Sequence, residues 1–305
     1  MRIDSHVHVY PTRAAGRADV EGYPIVEYGE KADVRLSARD GDVTDAIAAL
    51  DAAAIDLAFV LQSFELPGNP WPPGPRDRGR WPLEDPPHAA FADALRASNA
   101  FVGSLPDADP RLLPFISVHP GVLSARACGE HVAQLADAGR ARGLKLHTIG
   151  QRIHPGDPAM WPTYAALSER GLPVVAHCGP DRHGAGLSTP AAFAPVAQAF
   201  PELRLVLAHV GGGAWRDTAA FAAAHPGVRF DLSEIVSWTG STIGPSAREL
   251  RALIRAVGAD RILLGSDFPW YEPADVIAEL LDLPGLSDEE RAMILGRNAT
   301  ALLAV

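Results

Sequence analysis

Two histidines one residue apart, His6 and His8, stand in the run Asp4-Ser5-His6-Val7-His8 near the start of the chain. The apolar approach through Met1 and Ile3 makes Ile3–Val9 read as a strand, in which alternate side chains share a face. Two imidazoles on one face of a rigid strand can ligate a single metal ion. Taken alone, a His-x-His pair would as readily be two surface histidines near a terminus. The rest of the chain argues otherwise: His119, Lys145 with His147, His177, His209 and Asp267 each close a further buried-strand pattern. Six of the 11 histidines fall at such ends, where random placement would scatter them over helices and loops.

The strand-like runs that would carry these residues are Ile3–Val9, Asp56–Gln62, Leu112–Val118, Leu144–His147, Leu172–His177, Leu203–His209, Val228–Leu232 and Arg261–Gly265. Helical patterns alternate with them at Thr44–Ala54, Ala89–Ser98, Ala125–Arg142, Arg248–Val257 and from Ser287 to about Leu303. Asp157-Pro158 and Thr189-Pro190 read as N-caps followed by proline in the first turn, and Ser287 with Glu290 as a capping box. Two long stretches, Tyr10–Asp42 and Leu66–Pro87, follow the first two strands. Eight strands alternating with helices predict an α/β fold, one (β/α)8 TIM barrel over residues 1–305, with long loop insertions after strands 1 and 2. The competing doubly wound sheet would want a glycine-rich phosphate turn after an early strand. Gly211-Gly212-Gly213 follows a histidine late in the chain and reads as a tight exit turn. In a barrel the C-terminal strand ends form the active-site face, which gathers the residues named above. Alternation puts Lys145 with His147, Val175 with His177, and Leu207 with His209 on shared faces.

Composition bounds the partners. The chain has 305 residues, 47% of them hydrophobic, and a net charge of −10, which argues against nucleic acid. No apolar run is long enough to span a bilayer, and a strand beginning at the initiator methionine leaves no room for a signal peptide. Cys128 and Cys178 make no disulfide framework, so the cytoplasm is the expected compartment. Cys178 follows His177 and reads as a small buried hydrophobe facing the helices. Among 27 basic residues only Lys31 and Lys145 are lysines, which singles out Lys145 at a strand end. A small-molecule substrate is expected, with self-association into a homodimer left open.

The stretches Asp4-Ser5-His6-Val7-His8, Gly143-Leu-Lys-Leu-His147, Val175-Ala-His177-Cys-Gly179, Leu207-Ala-His209-Val-Gly211, Leu264-Gly-Ser-Asp267-Phe-Pro269 and Arg297-Asn298-Ala299 resemble the amidohydrolase superfamily. The nearest likeness is to its amidohydrolase-2 branch, which includes aminocarboxymuconate-semialdehyde decarboxylase. The resemblance implies that His6, His8, His177 and Asp267 hold one divalent metal, while His209 stays off it as an acid/base. Three imidazoles and a carboxylate suit zinc, with manganese or iron as alternatives. Asp267 would double as a proton carrier. In binuclear relatives a lysine at the end of strand 4 is carboxylated and bridges two metals. Lys145 is read instead as a charged group that binds a substrate carboxylate or pairs with an acid. His119, His147 and Arg152 are read as substrate contacts, a second metal site at His119 and His147 being the alternative. Arg182 and Glu234 are further candidates for polar contacts, and Trp71, Trp81 and Trp238 for an aromatic wall.

Three functions follow as expectations. The first is a metal-dependent hydrolase cleaving a C–O or C–N bond in a small carboxylate, lactone or amide. The second is a non-oxidative decarboxylase using the same ligands. The third, a non-catalytic metal-binding protein, is disfavoured because stability alone would not demand polar residues around a barrel mouth.

Overall fold

The computed structural model describes residues 1–26, 36–64, 91–179 and 186–303. Trp71, Trp81 and Arg182 lie outside them. The strands are β1 (Ile3–Val7), β2 (Leu57–Leu61), β3 (Leu112–Ile116), β4 (Gly143–Leu146), β5 (Val174–Ala176), β6 (Leu205–Leu207), β7 (Arg229–Asp231) and β8 (Ile262–Leu263). They pair in parallel in chain order. The segment after β8 meets β1: Ser5 N donates to Leu264 O at 2.8 Å, Asp267 N to His6 O at 2.8 Å, and His8 N to Phe268 O at 2.7 Å. This is the (β/α)8 barrel that the alternation of strands and helices predicts.

Two cores follow from the period-two pattern. Ile3, Phe59, Leu61, Phe115, Val175, Val206 and Leu263 fill the barrel interior, with Ala299 and Leu302 of the last helix, Asn298–Leu303, packed against them. Phe59 and Phe115 stack there with centroids 4.7 Å apart. The outward residues of the same strands, among them Val60, Ile116, Leu144, Leu207 and Phe230, join helix residues such as Leu95, Val132, Leu167 and Ile254 in the larger cluster. Each such side chain stabilises the fold by roughly 1.5–3 kcal/mol when fully buried. The lone lysine of β4, Lys145, stands between Leu144 and Leu146, whose side chains belong to the outer cluster.

The hydrogen-bonded strands are shorter than the apolar runs that predict them. The apolar pattern continues past the ladder into the turns, so His8, His147, His177 and His209 all lie just beyond a strand rather than in it. The stretch after β1 contains a helix, Arg13–Val26, which the sequence reading leaves out, and so do the segments Trp215–Ala224 and Pro273–Asp282. The helix read at Ala89–Ser98 is Ala92–Ala108, and the one read as ending at Arg142 stops at Asp137. The Ser287–Glu290 capping box is present. Asn298 donates from Nδ2 to Ala259 O and Ile262 O, both at 2.7 Å, tying the last helix to the entry of β8. Among the described residues no helix is long and apolar enough to cross a membrane.

Candidate active site

β1 does not keep simple alternation. Ile3 points into the barrel, yet Val7 packs in the outer cluster, because the register against β2 shifts between Asp4 and Val7. Such a bulge re-aims side chains near a site, and here it leaves His6 and His8 both lining the barrel mouth. Gly265, in the segment after β8 that runs beside β1, permits this approach: a Cβ there would lie 2.9 Å from His6 Cβ and 3.1 Å from Ser233 Cβ.

The mouth is a cavity of about 170 Å³ whose polar wall includes His6, His8, Lys145, His147, His177, His209, Glu234 and Asp267. Asp267 Oδ1 lies 3.3 Å from His6 Nε2 and 3.2 Å from His8 Nε2, and this buried oxygen has no hydrogen-bond partner among the described residues. Burial would raise the Asp267 pKa, but His6, His8 and His209 around it hold it well below the usual carboxylate range. Glu234 shows the opposite balance, burial and the adjacent Asp267 charge pushing it well up. Of these two neighbouring carboxyl groups, Asp267 is the more readily ionised. Burial lowers the His6 pKa and takes His209 down to about 4, so both rings are neutral. Lys145, only 1% exposed, puts its ammonium 2.9 Å from His6 Nε2. A divalent metal fits this donor set. His6, His8 and Asp267 offer ligand atoms within 4.8 Å of one another, as do His209, Glu234 and Asp267. The unpartnered Asp267 oxygen sits at the point of convergence.

A family model described as Amidohydrolase matches residues 3–305. The chain belongs to the amidohydrolase family. It is an enzyme of that superfamily, and the resemblance read from its motifs holds across the whole fold. No curated protein matches the sequence. A solved 5-carboxyvanillate decarboxylase from Sphingomonas paucimobilis is 18% identical, with a TM-score of 0.67 over 100% of this chain and 99% of its own. Another from Novosphingobium aromaticivorans, solved with manganese and 4-hydroxy-3-methoxy-5-nitrobenzoic acid, is 14% identical, with a TM-score of 0.67 over 100% and 96%. A protein from Pseudomonas putida assigned as a 2-pyrone-4,6-dicarboxylic acid hydrolase is 19% identical, with a TM-score of 0.63 over 99% and 97%. At these identities the likeness is one of fold.

Not every residue singled out in the sequence of this amidohydrolase reaches the cavity. His177 does, but its Nδ1 lies 3.1 Å from His209 Nε2, and none of the close ligand groups contains it. His147 lines the wall while its Nδ1 accepts from Gly150 N at 3.2 Å, capping the short helix Thr148–Gln151. His119 and Arg152 are not on the described wall. The His119 ring fastens two backbone segments, Nε2 donating to Gln151 O at 2.9 Å and Nδ1 accepting from Gly121 N at 3.0 Å. Arg152 is the left-handed residue that ends the same short helix and is buried there. Trp238 is packed away, donating from Nε1 to Tyr271 Oη at 2.9 Å. The tryptophan on the wall is Trp270, edge-on to His8 with centroids 5.2 Å apart. The period rule also misplaces Leu207 and His209, which do not share a face. Leu207 packs outward, and the backbone turns left-handed at His209 (φ 59°) and Val210 (φ 47°), throwing the His209 ring back over the mouth.

Two residues that sequence reasoning passes over complete the site. Asp231, the last residue of β7, is fully buried; its Oδ2 lies 3.0 Å from His6 Nδ1 and its Oδ1 accepts from His209 N at 3.0 Å. Burial would raise its pKa, but attraction to His6 and the hydrogen bonds from His6 and Ser233 hold it at about 2. Ser233 Oγ contacts His209 Nδ1 at 2.8 Å, His6 Nδ1 at 3.1 Å and Asp231 Oδ1. The available signal was a carboxylate ending a strand in a barrel whose other strand ends carry the site.

Proposed function

We propose that this amidohydrolase binds one divalent metal through His6, His8, His177 and Asp267 and hydrolyses a C–O or C–N bond in a small carboxylate-bearing lactone, ester or amide. The observation that carries the reading is the convergence of His6, His8 and Asp267 around an unpartnered carboxylate oxygen, with a buried ammonium in the same cavity. The bound metal would supply Lewis acidity toward water and the substrate carbonyl, zinc and manganese both suiting the donors. Asp267, held as a carboxylate, accepts a proton from the attacking water. Neutral His209, buried beside it, polarises the substrate or passes the proton on. Lys145 and His147 face the substrate carboxylate, while Leu61 and Trp270 wall its apolar body.

Non-oxidative decarboxylation is the second reading, favoured by the two carboxyvanillate decarboxylases of the same fold. The same cation would then hold the carboxylate that leaves. One experiment addresses both. Metal-stripped protein is reloaded with zinc or manganese and given lactones, esters, amides and aromatic carboxylates, with acid release and carbon dioxide followed in parallel. Acid release without carbon dioxide supports hydrolysis, and carbon dioxide from a carboxylate supports the second reading. Unchanged metal content in both His6→Ala and His177→Ala would sink the assignment of the centre.

A further inference from the structure

The hydrogen bonds behind the cavity form one directed chain that ends on a single carboxylate. Asp231 Oδ1 accepts from the backbone N–H groups of His209 and Ser233, both at 3.0 Å, and from the Ser233 hydroxyl. A carboxylate outcompetes a neutral imidazole for a hydroxyl proton. With its proton committed there, Ser233 Oγ can only accept at its other contacts. His209 Nδ1, 2.8 Å away, must therefore carry a hydrogen. The Ser233 carbonyl at 3.3 Å from the same nitrogen agrees, since a carbonyl facing a ring lone pair would be repulsive. His209 Nε2 is then a lone pair, and His177 Nδ1, 3.1 Å from it, is the donor.

The other oxygen works the same way on His6. Asp231 Oδ2 stands 3.0 Å from His6 Nδ1, which must donate to it. His6 Nε2 is left as the acceptor, and the Lys145 ammonium at 2.9 Å, which can only donate, demands the same state. Two independent neighbours thus agree on one ring.

We propose that Asp231 is the positioning residue of the site: from β7 it sets the tautomer and orientation of His6 and His209 and, through His209, of His177. All three rings carry hydrogen on Nδ1; the Nε2 lone pair of His6 faces Lys145 and that of His209 faces His177. For metal affinity the inference rests on His6 being a ligand, as proposed above; the tautomers themselves do not.

Asp231→Asn is a sharp probe. The two backbone N–H groups require an oxygen at the Oδ1 position, so the amide oxygen takes that place and the NH2 faces His6 Nδ1. The NH2 and the Lys145 ammonium, both donors, then compete for the one lone pair of the His6 ring, so the fixed Nδ1–H state is lost. In metal-free protein labelled with 15N-histidine, long-range proton–nitrogen spectra at neutral pH should show His6 and His209 with hydrogen on Nδ1. In Asp231→Asn the single Nδ1–H pattern of His6 is lost, and zinc and manganese affinity, measured by chelator competition, falls by about 10–100-fold. Ser233→Ala removes the hydroxyl from His209 Nδ1 and from His6 Nδ1 but leaves Asp231 Oδ2 on His6, so it disturbs the His209 pattern, keeps hydrogen on His6 Nδ1 and lowers metal affinity less than Asp231→Asn does. Hydrogen on Nε2 of His6 in the unsubstituted protein overturns the inference. So does Asp231→Asn with unchanged tautomers and unchanged affinity. Should Asp231→Asn fail to fold, the spectrum of the unsubstituted protein and that of Ser233→Ala decide. Correct tautomers in a protein that takes up no metal would remove the proposed centre and leave this inference standing.

Discussion

Replacing Lys145 with methionine should change metal and carboxylate binding in opposite directions. His6 Nε2 has one lone pair, and the buried ammonium 2.9 Å away occupies it. A metal ligated by His6 must break that contact. A hydrogen bond from a charged donor is worth about 1.5–3 kcal/mol. The displaced ammonium also stays within range of the dication, and unit charges about 4 Å apart at an effective dielectric of 20 interact by about 4 kcal/mol. Methionine keeps the length of the side chain, removes both costs, and is a poor ligand for zinc or manganese. Metal affinity should rise by at least about 10–100-fold, the factor matching the hydrogen bond alone. A small carboxylate should bind more weakly, since losing one partner of a buried charge pair costs about 2–5 kcal/mol, while its methyl ester is little affected. Chelator competition on stripped protein reads the first effect, and titration of the loaded protein with the acid and its ester reads the second. Weaker metal binding in Lys145→Met would refute the reasoning. Two metals per chain, falling toward one on substitution, would do so more specifically by making Lys145 a carboxylated bridge.

His209→Asn should keep the metal and lower turnover by about 10²–10⁴-fold; loss of metal in elemental analysis would move His209 among the ligands. Gly265→Ala pushes a methyl to 2.9 Å from His6 Cβ and should cost about 1–3 kcal/mol in urea unfolding, together with weaker metal binding. Burial pushes the Cys128 thiol up to about 12 and Cys178 well above its usual range, so neither should react with a thiol reagent at neutral pH until the protein is unfolded. Because the Cys128 pKa is raised in the folded state, its contribution to stability is complete below the ordinary thiol value of 9.0 and is lost as pH climbs toward about 12, which denaturant midpoints across that range would register.

Much of this enzyme is legible locally. Short buried-strand runs mark all eight strands, because a run of apolar residues is a property of neighbours in the chain and needs no partner to be seen. The capping box at Ser287 and Glu290 is legible for the same reason, its two hydrogen bonds spanning three residues. The histidines and Asp267 stand out because polar residues closing apolar runs make sense only at a barrel mouth. Other features depended on contacts between distant segments. The bulge in β1 that brings His6 and His8 to the inward side with Ile3 is a matter of register against β2. The left-handed turn at His209, which breaks the alternation with Leu207, is braced by Asp231 on the next strand. Trp238 and Trp270 both belong to the outer core cluster, and only packing gives Trp270 a place on the cavity wall as well. Asp231 and His6 are 225 positions apart in the chain and 3.0 Å apart in space. Nothing local distinguishes an aspartate at the end of β7 from a solvated turn residue. Closure of the sheet brings β7 beside β8 and β8 beside β1, and burial there sets the carboxylate against the His6 imidazole, the Ser233 hydroxyl and the backbone N–H groups of His209 and Ser233.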